Sequence, residues 1–338
     1  GDALYGGSSN TEFTSFETSV NSKLNSGSYS WKRWPTVFSP TSTSANVITG
    51  SSDTKLEEID PEQGQLGDCW WIASSAAYAS HPNAANSVLT RSYNKAGIYA
   101  FTFYVRGIPW VVDVDGSLLT SGSNFAYGGV NTVTKAIWSA LAEKALAKIK
   151  GSYAAAAGGF NQTGLSLWTG VPVISYSGSD VTNATQANTV WDAVVAGQAA
   201  GFVMTAGTAG GGNDQDTNSC GIAKSHAYSI FAAFTLDNSG TDEKVYLARN
   251  PWGVTKYSGT WKSDSSLWTT SNKAKVPFSL SGDVTSKTNG YFVIEATKLI
   301  DKECFDGIDI AQTLSGYSES RYDYENAPTQ TASDTFDF

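Results

Sequence analysis

The period of the apolar positions changes along the chain, and each change marks an element. Trp70, Trp71, Ile72, Ala73, Ala76, Ala77 and Tyr78 form an apolar, alanine-rich run behind the glycine-punctuated turn Gln63-Gly64-Gln65-Leu66-Gly67-Asp68. The run predicts a helix about three turns long with Cys69 at its start. The segments 98–105 and 109–114 alternate with period two and predict a strand pair joined by Arg106-Gly107. From Thr134 to Lys150 the pattern is helical, with Ile137, Trp138, Leu141, Ala145 and Ile149 on one face and Glu143 in register. That helix ends at Gly151, and the small residues from Ala154 to Gly159 read as a hinge.

Beyond the hinge, residues 190–200 predict a second helix and 201–205 a strand, followed by a glycine-rich polar loop from Gly207 to Asp216. Further strands are expected over 227–234, 244–249 and 291–296. The pattern divides the chain into an N-terminal arm or pro-like extension (1–30), with a short helix around Glu12 to Leu24, and a first half carrying the cysteine helix (31–158). A β half (159–302) and a polar C-terminal tail (303–338) follow. A mostly helical half followed by an antiparallel β half is an α+β fold with a cleft between the halves.

Composition narrows the partners. Only 16% of residues are charged against 41% hydrophobic, with Ser, Thr, Asn and Gly in place of charge, a mixture that suits a secreted or cell-surface protein. The net charge, 22 − 31 = −9, argues against nucleic acid or an anionic membrane as the partner. No apolar run approaches the ~20 residues of a membrane span, and no signal-peptide pattern opens the sequence at Gly1. Three cysteines, Cys69, Cys220 and Cys304, leave at least one thiol unpaired, and two histidines are too few for a typical structural zinc site. The chain reads as a monomer.

Candidate chemistry starts at Cys69. A first helical turn carries unpaired N–H groups whose partial positive charge favours thiolate, although a cysteine taken alone is more often a small buried hydrophobe. A nucleophilic cysteine needs a base. His81 lies 12 residues further along the same predicted helix, ~18 Å away at the helical rise, which excludes it. His226 remains, where the polar loop enters a strand. Its ring needs an orienting partner. Asn250 leaves the next strand at a proline turn, and Trp252 is placed to shield an Asn–His hydrogen bond.

Three segments, Gln63 to Trp70, Ser225 to Ile230 and Arg249 to Gly253, closely resemble the catalytic motifs of calpains, cysteine proteases with a papain-like core. Trp138 to Ala145 and Gly151-Ser152-Tyr153 resemble the calpain helix and its exit, so the similarity runs in order over roughly residues 30–300. The resemblance implies a papain-like endopeptidase acting on protein or peptide substrates through a thioester. Cys69 would be the nucleophile, His226 the general acid/base, Asn250 its orienter and Gln63 the oxyanion-hole side chain beside the Cys69 N–H. Gly158 and Gly159 would lie at the hinge and substrate groove, and no cofactor would be required for the chemistry.

The resemblance also implies calcium control, because calpains generally close their cleft when calcium binds each half. Asp60 and Glu143 match the first-half ligands, with a salt-bridge partner and a solvated helix face as the plain alternatives, while Asp53 to Lys55 departs from the pattern. Lys256, Ser263, Asn289 and Tyr291 replace the second-half acids, so calcium is expected at one site at most. Ser225 replaces the glycine before the histidine and would narrow a subsite wall. Too few residues follow the core for a calmodulin-like domain or C2-type sandwich, and the chain reads as a stand-alone core. Alternatives are a dormant binding or scaffold module, which gives no reason to keep Cys, His, Asn and Gln together, and transglutaminase-like acyl transfer, which the Asn-Pro-Trp turn disfavours. A carbohydrate-binding surface has no aromatic ladder to support it.

Overall fold

The computed structural model describes residues 19–37, 48, 55–93, 95–131, 134–212, 214–277 and 284–313. Of the expected N-terminal helix, only residues 19–24 fall within the described part, where a helix runs over 19–25; Asp53 and Thr54 lie outside it. Val20 is buried in the first core, so the end of the sequence-defined arm is packed rather than peripheral.

In the first half, β1 (Tyr29–Arg33) precedes α1 (Cys69–Ala79), the hairpin β2 (Ile98–Val105) and β3 (Ile108–Asp115), β4 (Ser117–Ser121) and α2 (Trp138–Lys150). Strands β1 and β4 pair antiparallel. Arg106 and Gly107 both take positive φ, 55° and 76°, which suits the two-residue turn of a twisted hairpin. Tyr99, Phe101 and Phe103 alternate into the core.

Helix α1 is buried on all sides from Trp70 to Ala79, which its small residues permit by admitting close neighbours. One such neighbour is α3 (Asn161–Thr169), which the sequence pattern does not reveal. At Gly164 a Cβ would lie 2.5 Å from Ser74 Oγ, so glycine is needed where the two helices meet. Trp168 of α3 stacks on Trp71 at 4.9 Å and on Tyr78 at 5.0 Å. The first core therefore continues well past Gly158, where the sequence pattern ends the first half. The hinge itself is built: Ser152 caps the short helix Tyr153–Ala156 through Ala155 N–H at 3.1 Å.

The second half holds β5 (Val173–Ser177), α4 (Ala184–Ala200), β6 (Val203–Gly207), β7 (Ala227–Asn238), β8 (Thr241–Arg249), β9 (Tyr291–Glu295) and β10 (Gly307–Ala311). They form one antiparallel sheet in the order β9-β8-β7-β6-β10-β5. The fold is α+β, as expected, but the tail assigned to 303–338 is corrected at its start. Gly307–Ala311 is an inner strand of the sheet, with Ile308 and Ile310 buried in the second core and Asp309 on the opposite face. Its five residues lie in an acidic surrounding and carry too short an alternation to stand out. Cys220 and Cys304 form a disulfide that ties the loop before His226 to the segment before β10.

Candidate active site

Cys69 opens α1, where the first N–H groups lack intrahelical acceptors. The Gly67 carbonyl in the preceding turn accepts from Gly158 N–H at 2.8 Å, and Trp70 Nε1 donates to Ala156 O at 3.0 Å. A Cβ on Gly159 would lie 2.5 Å from the Trp70 ring. The Gly158-Gly159 pair is thus fixed against the cysteine turn, and Gly159 lines the cleft that Cys69 enters.

His226 reaches the same cleft from the start of β7. Its N–H donates to Thr208 Oγ1 at 3.0 Å, its carbonyl accepts from Thr208 N–H at 2.9 Å, and its ring lies 4.3 Å from that of Trp252. Nε2 is 3.0 Å from Asn250 Oδ1, which also accepts from Trp252 N–H at 3.0 Å. The Trp252 donor fixes the oxygen end of the amide toward both partners, so Nε2 carries the ring proton. Nδ1 is left as an acceptor, buried and without a hydrogen bond.

Burial pushes the Cys69 thiol up to about 11; amides of Ala227 and Trp70 oppose the rise and the Asp68 carboxylate adds to it. Burial also lowers His226 to about 4 against its Asn250 bond. Both shifts act in the direction of the uncharged forms, the thiol and the neutral imidazole.

Gln63 N–H donates to Pro251 O at 2.9 Å, and its Nε2 donates to Leu66 O at 2.8 Å. One amide hydrogen anchors the side chain and the second is left for another acceptor. Ser225 adopts a left-handed φ of 47° and donates from Oγ to Gly212 O at 2.9 Å. Left-handed backbone favours glycine, and the serine hydroxyl here holds the loop that borders the cleft.

The expected calcium pair is buried, and each of the two carboxylates keeps one oxygen without a hydrogen-bond partner. Asp60 accepts from Trp138 Nε1 at 2.7 Å and from Glu57 N–H at 3.0 Å. Glu143 is fully buried against Asp68, and burial followed by the Asp68 charge pushes it well above the usual carboxylate range. Glu143 is accordingly not the solvated face that one sequence reading offered. Among the described residues, the group of three potential ligands close enough to share an ion is Cys220, Glu303 and Cys304, and its two sulfurs are bonded to each other. This donor arrangement does not fit a hard cation that takes six to eight oxygens. The substituted second-half positions have structural work: Tyr291 Oη donates to Glu58 Oε1 at 3.1 Å, and Asn289 O accepts from Arg249 Nε at 2.9 Å.

A model of the calpain family of cysteine proteases matches residues 9–312. The chain belongs to the calpain family. It is 28% identical over 251 residues to calpain-type cysteine protease DEK1 of Arabidopsis thaliana, covering 73% of this chain and 11% of that protein. Calpain-8 of Homo sapiens is 32% identical over 243 residues (70% of this chain, 33% of that protein). The calpain-2 catalytic subunit of Macaca fascicularis is 31% identical over 249 residues (71% and 33%). The chain thus spans between about a tenth and a third of these calpain relatives. Sequence reasoning about this calpain core left out Thr208, which seats His226, and Asp309, which lies in the cleft with Cys69. Only the Ile-Asp-Ile alternation signalled the latter.

Proposed function

We propose that the chain is a cysteine endopeptidase core that hydrolyses peptide bonds in protein substrates through a thioester. The observation that carries this reading is the His226–Asn250 bond, which leaves Nδ1 unpaired in the cleft that Cys69 enters. In the first step the Cys69 thiol proton passes to His226 Nδ1 while Sγ bonds to the scissile carbonyl carbon. The tetrahedral oxyanion is stabilised by the Cys69 N–H and the second Gln63 amide hydrogen, each donor contributing ~3 kcal/mol. Collapse breaks the C–N bond, and the imidazolium returns its proton to the leaving amine. Water, deprotonated by His226, then hydrolyses the thioester and regenerates the thiol. Asn250 holds the ring in the tautomer that makes both transfers possible.

The scheme routes no step through calcium, although Asp60 Oδ1 and Glu143 Oε2 are buried without hydrogen-bond partners. The two halves are joined by protein contacts, including Ser229 Oγ donating to Ala73 O of α1 at 2.7 Å. No described helix is long and apolar enough to cross a membrane. The Cys220–Cys304 disulfide and the low charge support a secreted or cell-surface location, and gel filtration tests the expectation of a monomer. The decisive experiment is incubation with a peptidyl epoxide thiol trap, with calcium or with chelator, followed by mass spectrometry. Equal modification of Cys69 in both conditions is expected. Failure to modify Cys69 in either would overturn the protease reading and leave the dormant binding module. Modification only with calcium would return the metal to the scheme.

A further inference from the structure

We infer that Asp309 makes the cleft beside Cys69 a subsite for a cationic substrate side chain, lysine or arginine; the inference rests on the endopeptidase reading above. The cleft encloses about 390 Å³ and is lined by Cys69 and His226 as well as by Phe160, Gln162, Tyr176 and Asp309. Asp309 comes from the inner strand β10, where its neighbours Ile308 and Ile310 turn to the opposite face and enter the second core. The alternation of a strand therefore fixes its side chain toward the first half.

The carboxylate is 6% exposed. Its Oδ1 accepts from Gln162 Nε2 at 2.8 Å and from Ser175 Oγ at 2.6 Å, and Asn161 supplies a further hydrogen bond. All three donors are neutral. No lysine or arginine is among the described residues that line the cleft, and the other acid there, Asp306, is paired with Lys302 at 2.7 Å. Asp309 is thus a positioned carboxyl group held by neutral donors, with no lysine or arginine beside it in the described lining of the cleft. Burial raises its pKa, and the three hydrogen bonds oppose the rise. A charge taken from water without a partner is costly, and an entering cation would recover part of that cost.

The walls suit the same guest. Phe160 is 76% exposed at the lip of the cleft, and Tyr176 lines it as well. Aromatic surface packs the aliphatic stem of lysine or arginine and attracts its charged head. A guanidinium satisfies a carboxylate better than any neutral side chain of similar length. Asp309 also fastens the first turn of α3 to the sheet through Gln162. A purely structural role would account for that bond but predicts no charge preference in the substrate.

The test digests a proteome-derived peptide library with the full chain and identifies the cleaved bonds by mass spectrometry. Enrichment of lysine and arginine at one position near the cleaved bond is expected. Two fluorogenic peptides that differ only in arginine or citrulline at that position then isolate charge from shape. The wild-type kcat/KM ratio should favour arginine by about tenfold or more, and Asp309→Asn should collapse it toward one. A wild-type ratio near one, with Cys69 still modified by the epoxide, overturns the subsite and leaves the endopeptidase reading standing. A high ratio that survives Asp309→Asn overturns Asp309 as its source. Should that variant fail to fold, competitive inhibition of the wild type by an alkylguanidine but not by the matching alkylurea is the required result, and equal inhibition overturns the proposal. Absence of both cleavage and Cys69 modification overturns the endopeptidase reading itself, and the subsite with it.

Discussion

Arg249 Nη1 donates to the Pro61 carbonyl at 2.9 Å, and its Nη2 donates to Ile59 O at 3.2 Å. The residue immediately before Asn250 is thereby tied to the segment that leads into the Cys69 turn, so one buried guanidinium joins the two contributions to the candidate active site. Nε completes the set through Asn289 O, and Glu62, Glu58 and Asp60 supply negative charge around it. Arg249→Met leaves three carbonyls without their donor. It should cost about 3–5 kcal/mol and slow Cys69 modification by the epoxide, checked by urea denaturation and by labelling kinetics.

Replacing His226 with alanine should lower kcat/KM by about 10²–10⁴. Asn250→Ala keeps the imidazole and loses only its orientation, so its loss should be smaller and fall mainly on kcat. Steady-state kinetics on one fluorogenic peptide compares them, and an Asn250 variant with unchanged kcat would remove Asn250 from the mechanism.

The lowered His226 pKa makes stability depend on pH. In the unfolded chain the ring takes up a proton near 6.5, whereas in the folded protein it resists protonation down to about 4. Between those values the unfolded state binds more protons, so stability falls as pH drops through the window, by up to about 3 kcal/mol. The stability difference between wild type and His226→Gln, measured by urea denaturation from pH 7 to pH 4, should move against the wild type in that window.

Gly159→Ala places a methyl group 2.5 to 2.7 Å from atoms of the Trp70 indole. The ring is held by its bond to Ala156 O, so the overlap should cost about 1–3 kcal/mol. Thermal denaturation reads this cost, and a raised KM accompanies it because Gly159 borders the cleft.

Thiol titration of the denatured protein without reductant should find Cys69 alone, since Cys220 and Cys304 are bonded to each other. Replacing both partners with alanine should cost about 4.5 kcal/mol in the chain-entropy account, with the partners 84 residues apart in sequence. Detection of three thiols would exclude the disulfide.

The sequence by itself determined the elements whose chemistry is local. A glycine turn before a small, apolar run specifies the Cys69 helix because periodicity and turn residues act over a few neighbours. The Arg106-Gly107 hairpin and the Asn-Pro turn at Asn250 were legible for the same reason, and motif order pointed to the family. Tertiary structure alone decided what depends on partners distant in the chain. Strand β10 is too short to be recognised without the strands that flank it, yet burial between β5 and β6 makes it an inner strand. Glu143 matches a calcium ligand of the family it resembles, and its burial beside Asp68 at the start of α1 depends on how the helices pack. Asp309 becomes part of the cleft only when the sheet brings it beside Gln162 of the first half. Local propensity fixes which segments can form, while pairing and burial fix which side chains share a site.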